Sequence, residues 1–140
     1  MMRKTDIVDV TARKLAPYMF LFGLYLVSYG DTSPGGGFQG GVVIASGVIL
    51  LAMARDVATT ERLFPIHRLT AAEAIAFGIF LAAGVVGMVV EVGFLGDFAG
   101  RGETTDVVPA ARFIFLLNLA IGIKVAAGAS LICMHLFRER

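Results

Sequence analysis

A chain of 140 residues that is 57% hydrophobic and only 16% charged cannot hide its apolar surface in a soluble core of this size; ordinary soluble domains carry about 25% charged residues. A formal net charge of +1 gives no basic face for nucleic acid. A single cysteine, Cys133, excludes an intrachain disulfide and a cysteine metal cluster.

The N-terminal stretch Met1 to Lys14 carries positive charge before an apolar run, but the run ends in Tyr29 to Phe38 without a small-x-small cleavage pattern. It is read as a retained first span. Four apolar segments follow in chain order: about Leu15 to Gly30, Phe38 to Ala54, Thr70 to Val92 and Arg112 to Phe137. Their lengths favour helices over strands, and an open sheet in lipid would leave backbone groups unpaired. The expected fold is therefore an all-α integral membrane protein with four transmembrane helices, in one domain over residues 1–140. The first two segments are short, and Thr11 to Lys14 are available to lengthen the first.

The basic residues orient the chain. Arg3, Lys4, Arg13 and Lys14 precede the first span, Arg55, Arg62 and Arg68 separate the second and third, and Arg138 and Arg140 follow the fourth. The first interspan turn has no Lys or Arg, and the third has Arg101, with Arg112 at its border, diluted by Asp97, Glu103 and Asp106. The positive-inside rule places both termini and the middle loop in the cytoplasm. Tyr18, Tyr25 and Tyr29 form a thin aromatic belt, and Trp is absent. The segment Gly93 to Ala111, with glycines, acids and Pro109, reads as a surface connection.

The turn into the second span reads Asp31-Thr32-Ser33-Pro34-Gly35-Gly36-Gly37-Phe38-Gln39-Gly40-Gly41. Gly35, Gly37 and Gly40 satisfy G-x-G-x-x-G, yet no strand precedes them and no βαβ unit follows, so a dinucleotide loop is rejected. Two readings stay open and are compatible. In the structural one, Pro34 breaks the first helix, the glycines supply φ > 0 for a tight reversal, and Gly37, Gly41 and Ala45 form a small-residue stripe for close helix contact. In the functional one, a helix starting with glycines at membrane depth offers backbone groups to an ion, with Asp31 and Gln39 nearby.

Lys124 lies near the middle of the last apolar run. An ammonium at that depth costs at least ~2.5–3.5 kcal/mol, so such a residue usually faces a bundle interior or a watery path. Ala120, Lys124 and Gly128 recur at i, i+4, i+8 and share one small, tight face. Asn118 falls on a different face. The candidate acids, Glu73 and Glu91, are expected near the ends of the third span as solvated helix-end carboxylates, too far along the axis to meet Lys124. Its partner is then expected in another subunit or a water chain, with a structural bond or snorkelling as the plainer alternative. His67 and His135 stand alone and suggest no metal site. Nothing points to an enzyme active site or a cofactor.

The ungapped block Pro34-Gly35-Gly36-Gly37-Phe38-Gln39-Gly40-Gly41, together with Ile121-Gly122-Ile123-Lys124-Val125-Ala126-Ala127-Gly128 in the last span, resembles the MrpB family, also called MnhB. The resemblance implies a small, non-catalytic membrane subunit of a multi-subunit Mrp antiporter that exchanges Na⁺ for H⁺ across the cytoplasmic membrane of a bacterium or archaeon. It implies other Mrp subunits as partners within surrounding lipid; Lys124 is the candidate for ion or proton coupling on the strength of its own depth and face in the last span. Homologues also occur in hydrogenase-type complexes with an antiporter module, which is the alternative host. An independent small channel is a third reading. The resemblance leaves the N-terminal dozen residues and the segment Gly93 to Ala111 without a specific match.

Overall fold

A computed structural model describes residues 6–30, 35–55, 57–89, 95 and 108–139. Pro34, with Asp31, Thr32 and Ser33, lies outside the described residues, as do Glu91, Arg101 and most of the connection before the last helix. The described residues form five helices and no strand: α1 (Asp6–Ser28), α2 (Gly37–Ala54), α3 (Val57–Leu63), α4 (Ile66–Val89) and α5 (Val108–Arg138). Among the described residues, three segments are long and apolar enough to cross a membrane, namely Gly37–Ala54, Ile66–Val89 and Ile114–Arg138. The chain is thus a multi-pass, all-helical membrane protein.

Three features differ from the sequence expectation. Helix α1 begins at Asp6 rather than near Leu15, so its first half carries Asp9, Arg13 and Lys14. It runs on through Pro17, whose ring removes one helical N–H donor. The connection between the second and third apolar segments also contains a helix, α3, with a sequence (VATTERL) too short to show a period. Pro109, expected in a surface connection, is the second residue of α5, where a missing N–H costs nothing.

Helix α2 sits at the centre, between α1 on one side and α5 on the other, and α4 packs on α5 away from α2. Small residues make the central packing possible. A Cβ on Gly40 would lie 2.6 Å from the Gly23 carbonyl oxygen, and one on Gly23 would lie 2.6 Å from Ile44 Cγ1, so α1 and α2 cross nearly backbone to backbone. On the opposite face, a Cβ on Gly41 would lie 2.7 Å from the Gly122 carbonyl oxygen. This is the close approach that small residues allow between helices in lipid. Its pairings make α1 antiparallel and α5 parallel to α2.

The start of α1, the end of α2, α3, the start of α4 and the end of α5 consequently share one end of the bundle. Phe20 and Phe64 meet there at a centroid distance of 6.0 Å. Closer to the tip, Arg55 Nε donates to Asp9 Oδ1 at 3.1 Å, and Arg13 donates to the same carboxylate. The Arg13 hydrogen bond, reinforced by Arg55, holds the Asp9 carboxyl below its ordinary range against the opposing effect of desolvation. A carboxyl lowered by folding stabilises above its unfolded value, and that contribution disappears as pH falls through the folded value. Asp9→Asn is therefore expected to reduce heat tolerance slightly at neutral pH and to change nothing well below the ordinary aspartate range. Heating the detergent-solubilised chain at both pH values checks this.

Candidate functional site

Two polar features lie within the apolar part of the bundle, on opposite sides of α5. The first is the beginning of α2. A helix start leaves four backbone N–H groups without intrahelical partners, and Gly36, the residue before α2, has no side chain to cap them. The cap comes instead from α5: Gly37 N–H donates to Asn118 Oδ1 in a long hydrogen bond of 3.5 Å. Asn118 Nδ2 lies 3.0 Å from the position a Cβ on Gly30 would take, and Gln39 Oε1 lies 3.4 Å from that of Gly36. A Cβ on Gly37 would overlap the Asn118 carbonyl oxygen.

Gly36 is extended, with φ −157° and ψ −172°. None of Gly30, Gly35, Gly37, Gly40 and Gly41 takes a positive φ either. The expectation that these glycines serve a left-handed reversal is corrected accordingly. What the described glycines contribute is missing volume: Gly35 faces the Leu26 side chain, Gly37 and Gly41 face α5, and Gly40 faces α1. Phe38 points outward, 60% exposed in the isolated chain.

The second feature is the seam between α4 and α5. Lys124 is half-buried, and its Nζ sits over the Phe77 ring, 4.9 Å from the centroid. This is cation–π distance, where the ring quadrupole attracts an ammonium. One turn further along α5, a Cβ on Gly128 would come within 3.2 Å of Glu73 Oε1. Glu73 and Phe77 are themselves one turn apart on α4, so both contacts belong to one antiparallel register. The face Ala120, Lys124, Gly128 meets α4, whereas Asn118 and Gly122 meet α2 and α1.

Glu73 stands one turn from the Lys124–Phe77 contact, and among the described residues no ion pair joins it to Lys124, in keeping with the expectation that the two do not meet directly. Placing the middle of the third span near Leu81 leaves Glu73 well away from Lys124. The observed register puts Phe77 opposite Lys124, which brings the Glu73 carboxylate to the next rung. That offset depends on how two helices dock, and neither helix carries it alone. The role of Asn118 as a cap for α2 is likewise invisible in the sequence, where its only signal is a polar amide in an apolar run.

Two other polar side chains of α5 bond within their own helix. Ser130, buried, donates to the Ala126 carbonyl at 2.7 Å. His135 Nδ1 lies 3.1 Å from the Leu131 carbonyl oxygen. Among the described residues no three His, Cys, Asp or Glu side chains converge as a metal site would require.

Comparison with known proteins gives this arrangement a family. Residues 7–131 match the family described as a domain related to the MnhB subunit of Na⁺/H⁺ antiporter. The chain is 37% identical over 81 residues to a Na⁺/H⁺ antiporter subunit of Bacillus subtilis, covering 57% of this chain and 54% of the relative. It is 35% identical over 132 residues to an uncharacterised protein of Methanocaldococcus jannaschii, covering 90% and 50%. Against a Na⁺/H⁺ antiporter subunit of Alkalihalophilus pseudofirmus it is 26% identical over 135 residues, covering 89% and 92%. The matches thus span about half the length of the first two relatives and nearly all of the third. With the family match running from the first turn of α1 into the second half of α5, this chain belongs to the MnhB family.

Proposed function

We propose that the chain is a non-catalytic subunit of a multi-subunit Na⁺/H⁺ antiporter in the cytoplasmic membrane of a bacterium or archaeon. It crosses the bilayer four times with both termini in the cytoplasm. The observation that carries this reading is the family match over residues 7–131, joined to relatives named as subunits of such antiporters. The charge distribution supports the orientation. Arg13, Lys14, Arg55, Arg62, Arg68 and Arg138 all belong to one end of the bundle, as the positive-inside rule asks of a cytoplasmic face. On this reading α1 is the fourth crossing, with Arg13 and Lys14 at the interface rather than within the hydrocarbon.

The outer surface supports assembly with other membrane subunits. Helix α4 buries only Ala76, Gly84 and Gly87 within the chain. Ile75, Ile79, Met88 and Val89 are exposed, at 56–76%. An apolar face of that extent is covered by lipid or by partner helices. Lys124 opens onto the edge of this face beside Phe77, where a neighbouring subunit can sense its charge. In the proposed role, Lys124 contributes to an ion or proton route shared with larger subunits, and Gly35, Gly36, Gly37, Phe38, Gly40 and Gly41, with Pro34, hold the outer end of α2 in place.

The test is mass spectrometry of what co-purifies with the chain from native membranes in mild detergent. Large antiporter-like membrane subunits without redox proteins are expected. Co-purifying hydrogenase subunits would transfer the same fold to a redox-driven complex. Recovery of the chain alone as a defined homo-oligomer would overturn the proposal.

A further inference from the structure

Within the apolar reach of α4, from Leu69 to Val89, Glu73 is the sole ionisable side chain. Within α5 from Ile114 to Met134 the sole Lys or Arg is Lys124. The fold brings these two isolated charges onto adjacent rungs of one seam. The Glu73 carboxylate occupies the slot left by the missing side chain of Gly128, with Oε1 3.2 Å from where a Cβ would stand. The Lys124 ammonium lies over Phe77 one turn away. A turn rises about 5.4 Å along the axis. Between such groups, an effective dielectric of about 20 makes the attraction of opposite charges about fourfold stronger than in water. The lysine stem is flexible over four carbons, so its ammonium can lean along the seam while remaining against the Phe77 ring.

We infer that Glu73 is the charge partner of Lys124: a positioning residue that holds the ammonium within the α4–α5 seam, with Gly128 providing the space for its carboxylate. The inference deepens the reading of Lys124 given above and rests on it for any link to transport; the pairing itself does not. An intrachain partner makes the chain electrically self-contained in mid-membrane. It then needs no acid from another subunit to bring Lys124 into the bilayer. No other charged side chain on the described elements facing α5 competes for this role. Helix α2 has none before its Arg55 cap. Asp9, Arg13, Lys14, Glu61 and Arg62 belong to the charged end on α1 and α3, as does Arg68 in the first turn of α4.

The test is a charge-neutralisation cycle on the full complex, with Glu73→Gln, Lys124→Met, the double variant, and Glu73→Asp. Glutamine has the shape of glutamate, so a role in filling the Gly128 slot predicts no change on Glu73→Gln. The first readout is the temperature at which half of the chain leaves the detergent-soluble complex. Each single neutralisation leaves one charge without its partner and is expected to lower that temperature by about 5 °C or more. The double variant is expected to return to within about 2 °C of the parent, and Glu73→Asp to stay closer to the parent than Glu73→Gln. Losses that simply add in the double variant, or a Glu73→Gln protein as heat-tolerant as the parent, overturn the pairing. The second readout is Na⁺/H⁺ exchange in everted membrane vesicles. Full exchange by Lys124→Met would refute the coupling role of Lys124 whatever the heating data show, so the two failures are separable.

Discussion

Replacing Gly37 with alanine is expected to remove most of the assembled chain from the membrane. The added methyl group would overlap the carbonyl oxygen of Asn118 and press on that residue's backbone. Overpacking typically costs ~1–3 kcal/mol where side chains can yield. Here the obstacle is main chain within a helix, and it can yield only if α2 and α5 separate. Separation would also break the Gly37 N–H contact with Asn118 Oδ1 and expose the start of α2. A loss near the upper end of that range is a large fraction of the stability of a small domain, and immunoblots of membranes should show the chain at about a tenth of its normal level or less. Gly41→Ala meets the Gly122 carbonyl in the same way and should behave similarly. Gly78→Ala is the control, because no atom lies within 4 Å of its Cβ position. Normal levels of Gly37→Ala and Gly41→Ala chain would show that the α2–α5 crossing has more slack than its geometry allows.

The long apolar runs that become α2, α4 and α5 are legible in residue order alone because lipid demands continuous hydrophobic length. The start of α1 is not, since Asp9, Arg13 and Lys14 make its first turns look like a solvated tail. In the fold these residues continue the helix beyond the apolar run, and Asp9 is tied to Arg55 across 46 positions of chain. The shared face of Ala120, Lys124 and Gly128 follows from helical spacing, but its partner does not. Whether Phe77 or Leu81 stands opposite Lys124 is a matter of register between two helices, which neither segment carries alone. The glycines before α2 are conspicuous in sequence, yet their purpose is divided there between conformation and volume. The absence of positive φ at Gly35, Gly36, Gly37, Gly40 and Gly41 favours volume.

Lys124→Met is expected to lower Na⁺/H⁺ exchange in everted vesicles by about tenfold or more while the complex still assembles at growth temperature. A tenfold change corresponds to about 1.4 kcal/mol in the free-energy barrier, which is modest beside the cost of placing an ammonium in mid-bilayer. Methionine preserves the length and apolar stem, so helix packing against Phe77 survives and the loss reports the missing charge. Lys124→Arg keeps the charge and stacks readily on an aromatic ring; it should retain clearly more exchange than Lys124→Met. Equal losses in the two variants would indicate that the shape of the lysine matters rather than its charge. Normalising exchange to the amount of assembled complex separates this outcome from the Gly37 effect, where activity falls because the chain is lost. A Lys124→Met complex with undiminished exchange would leave the residue a structural one, held by the Phe77 ring and Glu73 for the stability of the seam alone.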